Sequence, residues 1–153
     1  MDVPPTFRLP ETAARIALIA QSHLRLIGKP LAPDTGDVTA ALWHAPQVIL
    51  AHGTEADPRF FFANAAALAR FEADLPGLVG MPSRLSAEAP DRAERQALLD
   101  RVTRDGFIAD YAGVRISAKG RRFRIEQATV WNLIDADGAV HGQAAAFSRW
   151  AEV

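Results

Sequence analysis

The first clear hydrophobic pattern along the chain has the period of an α-helix. Pro10 and Glu11 favour a helix start, because proline fits the first helical turn and an acid there interacts well with the helix dipole. Gly28 and Pro30 are typical of a helix end. The apolar positions between them are Ala13, Ile16, Ala17, Ala20, Leu24 and Ile27. The pattern predicts a helix that packs either on its own domain or against a second copy of the chain.

Short elements alternate in the middle of the chain. Asp37 is placed to cap a short helix that runs to Trp43. "QVILAHG" predicts a strand from residue 48 to residue 51 or 52, and "RFFFAN" predicts a second strand over residues 59–63. Asn64 follows at once and is placed to cap the next helix. The glycines and prolines of "LPGLVGMP" then break the pattern.

The segment "APDRAERQALLDRVTRDG" contains the clearest helix of the sequence. Asp91 and Glu94 have the spacing of a capping box, and Gly106 is typical of the helix end. A narrow apolar stripe runs among the charges, formed by Leu98, Leu99 and Val102. The pattern predicts a surface helix with one narrow side on the protein.

Three long segments with strand character follow, "FIADYAGVRISA", "RRFRIEQATVWNLI" and "AVHGQAAAFSRW". They are separated by "KG" and "DADG", which are hairpin signals, and tight hairpins join antiparallel strands. The sequence therefore predicts an α+β fold, with a five-stranded antiparallel sheet, helices packed on one face, and an N-terminal helical extension. The predicted organisation is an extension over residues 1–42 and a domain over residues 43–153.

This order of elements resembles a PAS domain. The segments "FFFANAAALARFE", "LVGMPSRLSAE", "AERQALLDRV", "RRFRIEQATVWNL" and "GQAAAFSRW" resemble the MEKHLA domain, a PAS-like family found as single-domain bacterial proteins and at the C-terminus of plant homeodomain–leucine-zipper proteins. The resemblance covers roughly residues 43–150 and points to the single-domain bacterial type. It implies a sensor or dimerisation module with a pocket between sheet and helices. Transcriptional function is not expected to carry over.

The composition of the chain excludes several kinds of site and argues against several kinds of partner. The chain has no cysteine, which excludes disulfides, thiolate metal sites and cysteine nucleophiles. Its formal net charge of −1 gives no field that favours nucleic acid. No apolar run is long enough for a membrane span, and the N-terminus lacks the pattern of a signal peptide. We therefore expect a cytoplasmic protein without nucleic-acid or membrane partners.

No cofactor is assigned from the sequence. Flavin photochemistry through a thiol adduct needs a cysteine, which the chain lacks. Haem needs an axial ligand, usually histidine. The PAS resemblance implies that the helix over residues 92–105 would supply it, and this segment has no histidine. The histidines, which are His23, His44, His52 and His141, do not have the spacing of a zinc site. No nucleophile elbow or phosphate-binding loop occurs, which favours a binding protein over an enzyme.

Polar residues in the predicted sheet are the candidates for a site. Strict alternation would place one set of residues on the same face of the long strand, namely Phe123, Ile125, Gln127, Thr129, Trp131 and Leu133. It would also place Gln143 and Phe147 on one face of the last strand. A buried amide needs partners, and a ligand could supply one. Tyr111 and Arg115 share a face of the preceding strand, where Arg115 could bind a carboxylate or point into water. The candidate ligand-binding residues are Ser83, Arg84, Tyr111, Arg115, Gln127, Trp131, Gln143 and Phe147.

These observations predict a PAS-like sensor or binding module. It would bind a small organic ligand, or form a homodimer through the N-terminal helix and signal to a partner. One alternative is a protein–protein interaction module without a ligand. A second alternative is a small enzyme on a cone-shaped α+β scaffold.

Overall fold

The computed structural model describes residues 2–153 and contains one antiparallel sheet of six strands. The strands are β1 (Val48–His52), β2 (Phe60–Ala63), β3 (Phe107–Ile116), β4 (Arg122–Ile134), β5 (Val140–Phe147) and β6 (Arg149–Glu152). Their order is β2-β1-β5-β4-β3, and β6 pairs with the first half of β4. The predicted antiparallel α+β architecture is confirmed, with one strand more than predicted.

The helices are α1 (Pro10–Ile27), α2 (Val38–Trp43), α3 (Ala65–Phe71), α4 (Leu75–Leu78) and α5 (Ala89–Asp105). Short 3-10 helices cover Pro5–Arg8 and Ser83–Ser86. The Asp37 carboxylate accepts a hydrogen bond from the backbone N–H of Ala40, and the Asn64 side chain accepts one from Ala67, so both predicted caps are present. The cap residues thus mark where α2 and α3 begin.

Helix α5 begins earlier than its sequence pattern predicts. The residue that precedes it is Glu88, whose side chain makes no capping hydrogen bond to the first turn. The predicted capping box of Asp91 and Glu94 is wrong, because both residues already lie inside the helix. Pro90 explains the difference, since proline is well tolerated in a first turn and lets the helix start before Asp91. The Glu94 carboxylate is therefore free to bind another group.

The inner face of the sheet, defined as the face that α3, α4 and α5 cover, carries one of two cores. Its buried residues include Leu50, Phe60, Phe71, Leu78, Leu98, Val102, Phe123, Ile125, Val130 and Phe147. Phe71 and Phe123 meet edge to face with ring centroids 5.2 Å apart. This core therefore joins the helices to the long strand β4.

The outer face is covered by α1 and α2, so the N-terminal extension packs on the opposite side of the sheet. Ile16 and Ile19 of α1 are fully buried, and each stabilises the fold by about 1.5–3 kcal/mol. The Trp131 indole N–H donates to the carbonyl of Ile19 at 3.1 Å. The division between residues 1–42 and 43–153 stays a prediction, and in the structure the two parts share this core.

Strand β4 contains one residue with a left-handed backbone conformation. After this residue, the alternation of side chains between the two faces of the sheet is reversed. Gln127 has a φ of +51°, a conformation that non-glycine residues rarely adopt. Before it, Phe123 and Ile125 face inward, whereas after it Trp131 and Leu133 face outward. The prediction that all these residues share one face is wrong, because a one-residue irregularity flips every later side chain.

The same irregularity explains the extra strand. The predicted last strand is interrupted at Ser148, and the chain then pairs as β6 with residues 123–126 of β4. Trp150 of β6 packs edge to face on Phe147, and Arg70 lies over its ring at 5.1 Å. β5 therefore pairs with the second half of β4 and β6 with the first half, along the same edge of β4.

Candidate functional site

A small cavity lies between the inner face of the sheet and α5. Its volume is about 50 Å³, which holds roughly three to five groups of the size of a water molecule. Most of its wall is apolar and comes from residues 50–52 of β1, the middle of the sheet and α5. The polar groups that reach it are His52, Ser86, Tyr111, Arg115 and Gln143. Few, convergent polar groups in an apolar wall are typical of a small-molecule site.

Gln143 lies in this wall, and its amide is already bound by the protein. Its Nε2 is 3.1 Å from the carbonyl of Leu99, from Thr103 Oγ1 and from Asn132 Oδ1. The Asn132 amide in turn donates to the carbonyl of Val102 at 2.9 Å. Two buried amides therefore attach the C-terminal half of α5 to the sheet, and the Gln143 donors need no ligand.

Tyr111 and Arg115 lie on the same side of β3 and meet each other. Arg115 donates to the Tyr111 hydroxyl at 3.2 Å, and this hydroxyl donates to Glu94 Oε2 at 3.0 Å. Gly113 lies between them, and a Cβ there would be only 2.1 Å from the Tyr111 hydroxyl. The spacing "YAGVR" thus lets the tyrosine ring lie along the strand. Burial raises the pKa of this phenol, so it stays protonated and can donate.

Arg95 is a buried charged residue near the site that the sequence reasoning missed. It lies on the buried side of α5 in line with Leu98 and Val102, and only 7% of it is exposed. Burial lowers its pKa to about 10, and the neighbouring Arg115 contributes to the shift. The helical spacing i, i+3, i+7 could have indicated this position, but a charged residue is rarely expected at the end of an apolar stripe.

His52 ends β1 at the cavity wall. Its Nδ1 is 3.0 Å from the carbonyl of Gly53, so Nδ1 carries the proton and Nε2 is left as an acceptor. Burial lowers the pKa of His52 and Arg95 lowers it further, which keeps the ring neutral. Nε2 is fully buried and has no hydrogen-bond partner in residues 2–153. A buried acceptor without a donor is costly, so this atom indicates a missing partner.

Ser83 and Arg84 lie outside the cavity, at the segment that leads into α5. Ser83 is buried, and its carbonyl accepts a hydrogen bond from Ser86 at 2.8 Å. Arg84 is exposed and pairs with Asp57 at 3.2 Å. Ser86 is thus the residue of this segment that reaches the cavity.

Three further candidates are divided between the two faces of the sheet. Phe147 lines the cavity. Gln127 is exposed, accepts a hydrogen bond from Arg149 at 2.8 Å, and borders an outer groove of about 460 Å³. Trp131 is buried under α1, so it does not reach the inner cavity. The structure therefore brings together Tyr111, Arg115, Gln143 and Phe147, joined by His52.

Comparison with known proteins identifies the family. The sequence profile of the MEKHLA domain matches residues 13–152. The chain belongs to the MEKHLA domain family. The match begins inside α1, so the family pattern of this MEKHLA domain includes most of the helix that covers the outer face.

Plant transcription factors are among the curated relatives of the chain. The homeobox-leucine zipper protein HOX9 of Oryza sativa subsp. indica is 30% identical over 151 residues, which are 94% of this chain and 18% of that protein. The homeobox-leucine zipper protein ATHB-14 of Arabidopsis thaliana is 29% identical over the same length, with the same shares. The MEKHLA chain thus spans about 18% of the length of these relatives. The single-domain bacterial type stays a prediction.

Solved structures with a similar fold are PAS and light-oxygen-voltage domains. A PAS domain from Colwellia psychrerythraea has a TM-score of 0.63 at 10% identity, covering 74% of this chain and 92% of that one. An RNA-binding light-oxygen-voltage receptor has a TM-score of 0.64 at 19% identity, covering 82% of this chain and 35% of that one. The predicted PAS-like fold is confirmed, in place of a cone-shaped scaffold.

The cavity is too small for a molecule of the size of a flavin. Another structure with a similar fold, a light-oxygen-voltage domain studied with a flavin analogue, has a TM-score of 0.61 at 16% identity, covering 78% of this chain and 86% of that one. Sites for molecules of that size need several hundred Å³, about tenfold more than a cavity of about 50 Å³. The sequence also has no cysteine for an adduct. Within residues 2–153, no helix combines the length and apolar character that a membrane span requires.

Proposed function

We propose that this MEKHLA domain is a sensor module that binds a small organic molecule in the cavity between the inner face and α5. The observation that carries the proposal is the buried His52 Nε2, an acceptor at the cavity wall to which no group of residues 2–153 donates. The surrounding walls are apolar, which suits the body of an organic molecule. The small volume restricts the ligand to about five non-hydrogen atoms in this conformation.

Helix α5 is the element that would report binding. It forms one wall of the cavity through Leu98 and Leu99, and two amide side chains of the sheet hold its C-terminal half. A ligand that contacts this helix biases its position, because a ligand shifts an equilibrium only through different contacts in the two states. Signalling to a partner protein would follow from such a shift of α5.

The test is a thermal-shift screen of the full chain with small metabolites, together with native mass spectrometry of the purified protein. A ligand at 100 times its Kd should raise Tm by about 5–10 °C. The variant Ala145→Leu fills the cavity and should abolish the shift. Ala151→Leu is the matched control, since this residue is exposed on β6. No bound ligand and no shift with any compound would contradict the proposal.

Homodimerisation through α1 is the second candidate. The buried side of α1 packs on its own sheet, yet Leu24 remains 53% exposed on this helix. Leu24 borders a surface groove of about 510 Å³ between α1 and α2, where a second copy could bind. Light scattering of Leu24→Glu tests this candidate, since a dimer that uses this side of α1 should dissociate. An unchanged oligomeric state in the variant would contradict it.

A further inference from the structure

His52 lies between two other cavity residues in the sheet. In the register of the strands it is opposite Gln143 of β5 on one side and opposite Phe60 of β2 on the other. Side chains of directly opposite residues in antiparallel strands share a face, with Cβ atoms about 4.5–5.5 Å apart. All three residues line the cavity. The buried Nε2 of His52 is therefore flanked by an amide and an aromatic ring at the cavity wall.

Gln143 carries a second acceptor in this wall. The hydrogen bonds of its side chain all run through Nε2, which donates to oxygens of Leu99, Thr103 and Asn132. No group within residues 2–153 donates to its Oε1, although an amide oxygen has two lone pairs. Two neighbouring side chains of the cavity wall thus carry an acceptor that lacks a donor.

The hydroxyl hydrogens of the wall are already used within the protein. The Tyr111 hydroxyl donates to Glu94 at 3.0 Å, and the Ser86 hydroxyl donates to the carbonyl of Ser83 at 2.8 Å. Arg115 is the exception, because a guanidinium has five N–H groups and protein oxygens accept from two of its nitrogens. Away from Arg115, the described side chains of the wall therefore accept hydrogen bonds and have no free hydrogen to donate.

The charges at the wall favour a neutral ligand. Arg115 supplies a positive charge, and Glu94 supplies a negative one that is joined to it through the Tyr111 hydroxyl. An ammonium group would be repelled by Arg115, which lines the cavity. A carboxylate has no hydrogen to donate, and its oxygens would lie against the acceptors of His52 and Gln143. A neutral hydroxyl group supplies the missing donor without either cost.

We propose that the ligand is a short-chain aliphatic alcohol, whose hydroxyl group donates a hydrogen bond to His52 Nε2 and whose alkyl chain lies against Leu98 and Phe147. This inference rests on the proposed function and adds the chemical class of the ligand. The oxygen of an alcohol is also an acceptor, so it is compatible with the free N–H groups of Arg115. The cavity of about 50 Å³ limits the chain to about four carbons.

The experiment is an NMR titration of the ¹⁵N-labelled full chain with n-butanol, diethyl ether, propionate and propylammonium. The alcohol and the ether are isomers, and only the alcohol has a hydrogen to donate. The alcohol should bind about 10- to 100-fold more tightly than the ether, because the ether leaves the buried acceptor of His52 unpaired. Both ions should bind more weakly than the alcohol. The Nε2 resonance of His52 should move upfield with n-butanol, as expected when a neutral ring nitrogen accepts a hydrogen bond.

Variants separate recognition by His52 from a general affinity for an apolar cavity. His52→Leu removes the acceptor and should abolish the preference for n-butanol over diethyl ether. His44→Leu is the matched control, since this histidine is exposed at the end of α2, and it should leave both affinities unchanged. Should His52→Leu fail to fold, the parent chain decides the question, because an unchanged Nε2 resonance at saturating n-butanol would overturn the proposal.

Further outcomes would also overturn it. Equal binding of n-butanol and diethyl ether by the parent chain would show that the hydroxyl hydrogen is not recognised. A preference for n-butanol that persists in His52→Leu would show that another group recognises it. Compounds of another class that bind in a manner sensitive to Ala145→Leu, with no binding of n-butanol, would reject the alcohol and keep the sensor function. Absence of any bound small molecule would reject both.

Discussion

At the scale of single residues, Asn64 does more than cap a helix. It is fully buried, and its Oδ1 accepts from the backbone N–H groups of Ile49 and Ala67. Its Nδ2 donates to the carbonyls of Leu42 and Gln47. One amide therefore joins the end of α2, the strand β1 and the start of α3.

Replacement of Asn64 should therefore strongly destabilise the fold. Asn64→Ala leaves four backbone groups without their partner, and we expect a loss of about 3–5 kcal/mol in the free energy of unfolding. Urea denaturation measures the loss. Asp74→Ala is the control, because Asp74 caps only Gly77, and it should cost about 1 kcal/mol. Equal losses in both variants would contradict the role given to Asn64.

Two buried histidines should make stability depend on pH. Burial lowers the pKa of His52 and of His23 below the ordinary value of 6.5, so the unfolded chain takes up these protons more readily than the folded chain. Stability is therefore full above pH 6.5 and falls as the pH drops below it. The pKa values of Asp37 and Asp135 are lowered from the ordinary value of 3.8, so these two residues affect stability only below about pH 3.8.

Denaturation midpoints between pH 7.5 and 5 test this dependence. Each histidine contributes at most one proton, and therefore about 1.4 kcal/mol per pH unit. His52→Gln should remove about half of the slope. A slope of zero in the parent chain, or one that His52→Gln leaves unchanged, would contradict the assignment.

At the scale of elements, the left-handed residue Gln127 decides what β4 presents to each face. Its side chain is exposed and accepts a hydrogen bond from Arg149, a surface contact that stabilises little. Glycine adopts this backbone conformation without a steric cost, so Gln127→Gly should raise the free energy of unfolding by about 0.5–1 kcal/mol. Thermal denaturation measures the gain.

A neighbouring position supplies the control for Gln127→Gly. Glu126 lies in the same strand without a positive φ, so Glu126→Gly should cost about 0.5–1 kcal/mol. Gln127→Val should also destabilise, because a β-branched residue fits the left-handed region poorly. Destabilisation by both glycine variants would mean that the Gln127 side chain matters more than its backbone.

At the scale of the whole molecule, α1 completes the outer core. Removal of residues 1–28 would expose Trp131 and Leu133 and would leave the Trp131 indole without its acceptor on Ile19. We expect a chain that aggregates or loses most of its cooperative unfolding, measured by light scattering and circular dichroism. A monomeric truncated chain with an unchanged Tm would contradict this. Leu24→Glu is therefore the better test of dimerisation, since it keeps the core.

Much of the architecture follows from local signals in the sequence. Glycine ends α1 and α5, Asp37 and Asn64 begin helices, and "KG" and "DADG" make the hairpins of an antiparallel sheet. Each signal acts within a few residues, because capping and turn formation are local interactions. The position of Tyr111 and Arg115 on one strand side follows in the same way.

Tertiary structure decided the orientation and burial of side chains that local sequence signals do not predict. Trp131 faces α1 because Gln127 has a left-handed backbone conformation. A glutamine gives no indication of this conformation in the sequence. The burial of Arg95 depends on where α5 crosses the sheet and runs against the usual exposure of arginine. The unpaired His52 nitrogen depends on neighbours distant in sequence. The sequence by itself determined the main elements, the caps of α2 and α3, and the family, whereas packing between distant segments decided which side chains share the cavity.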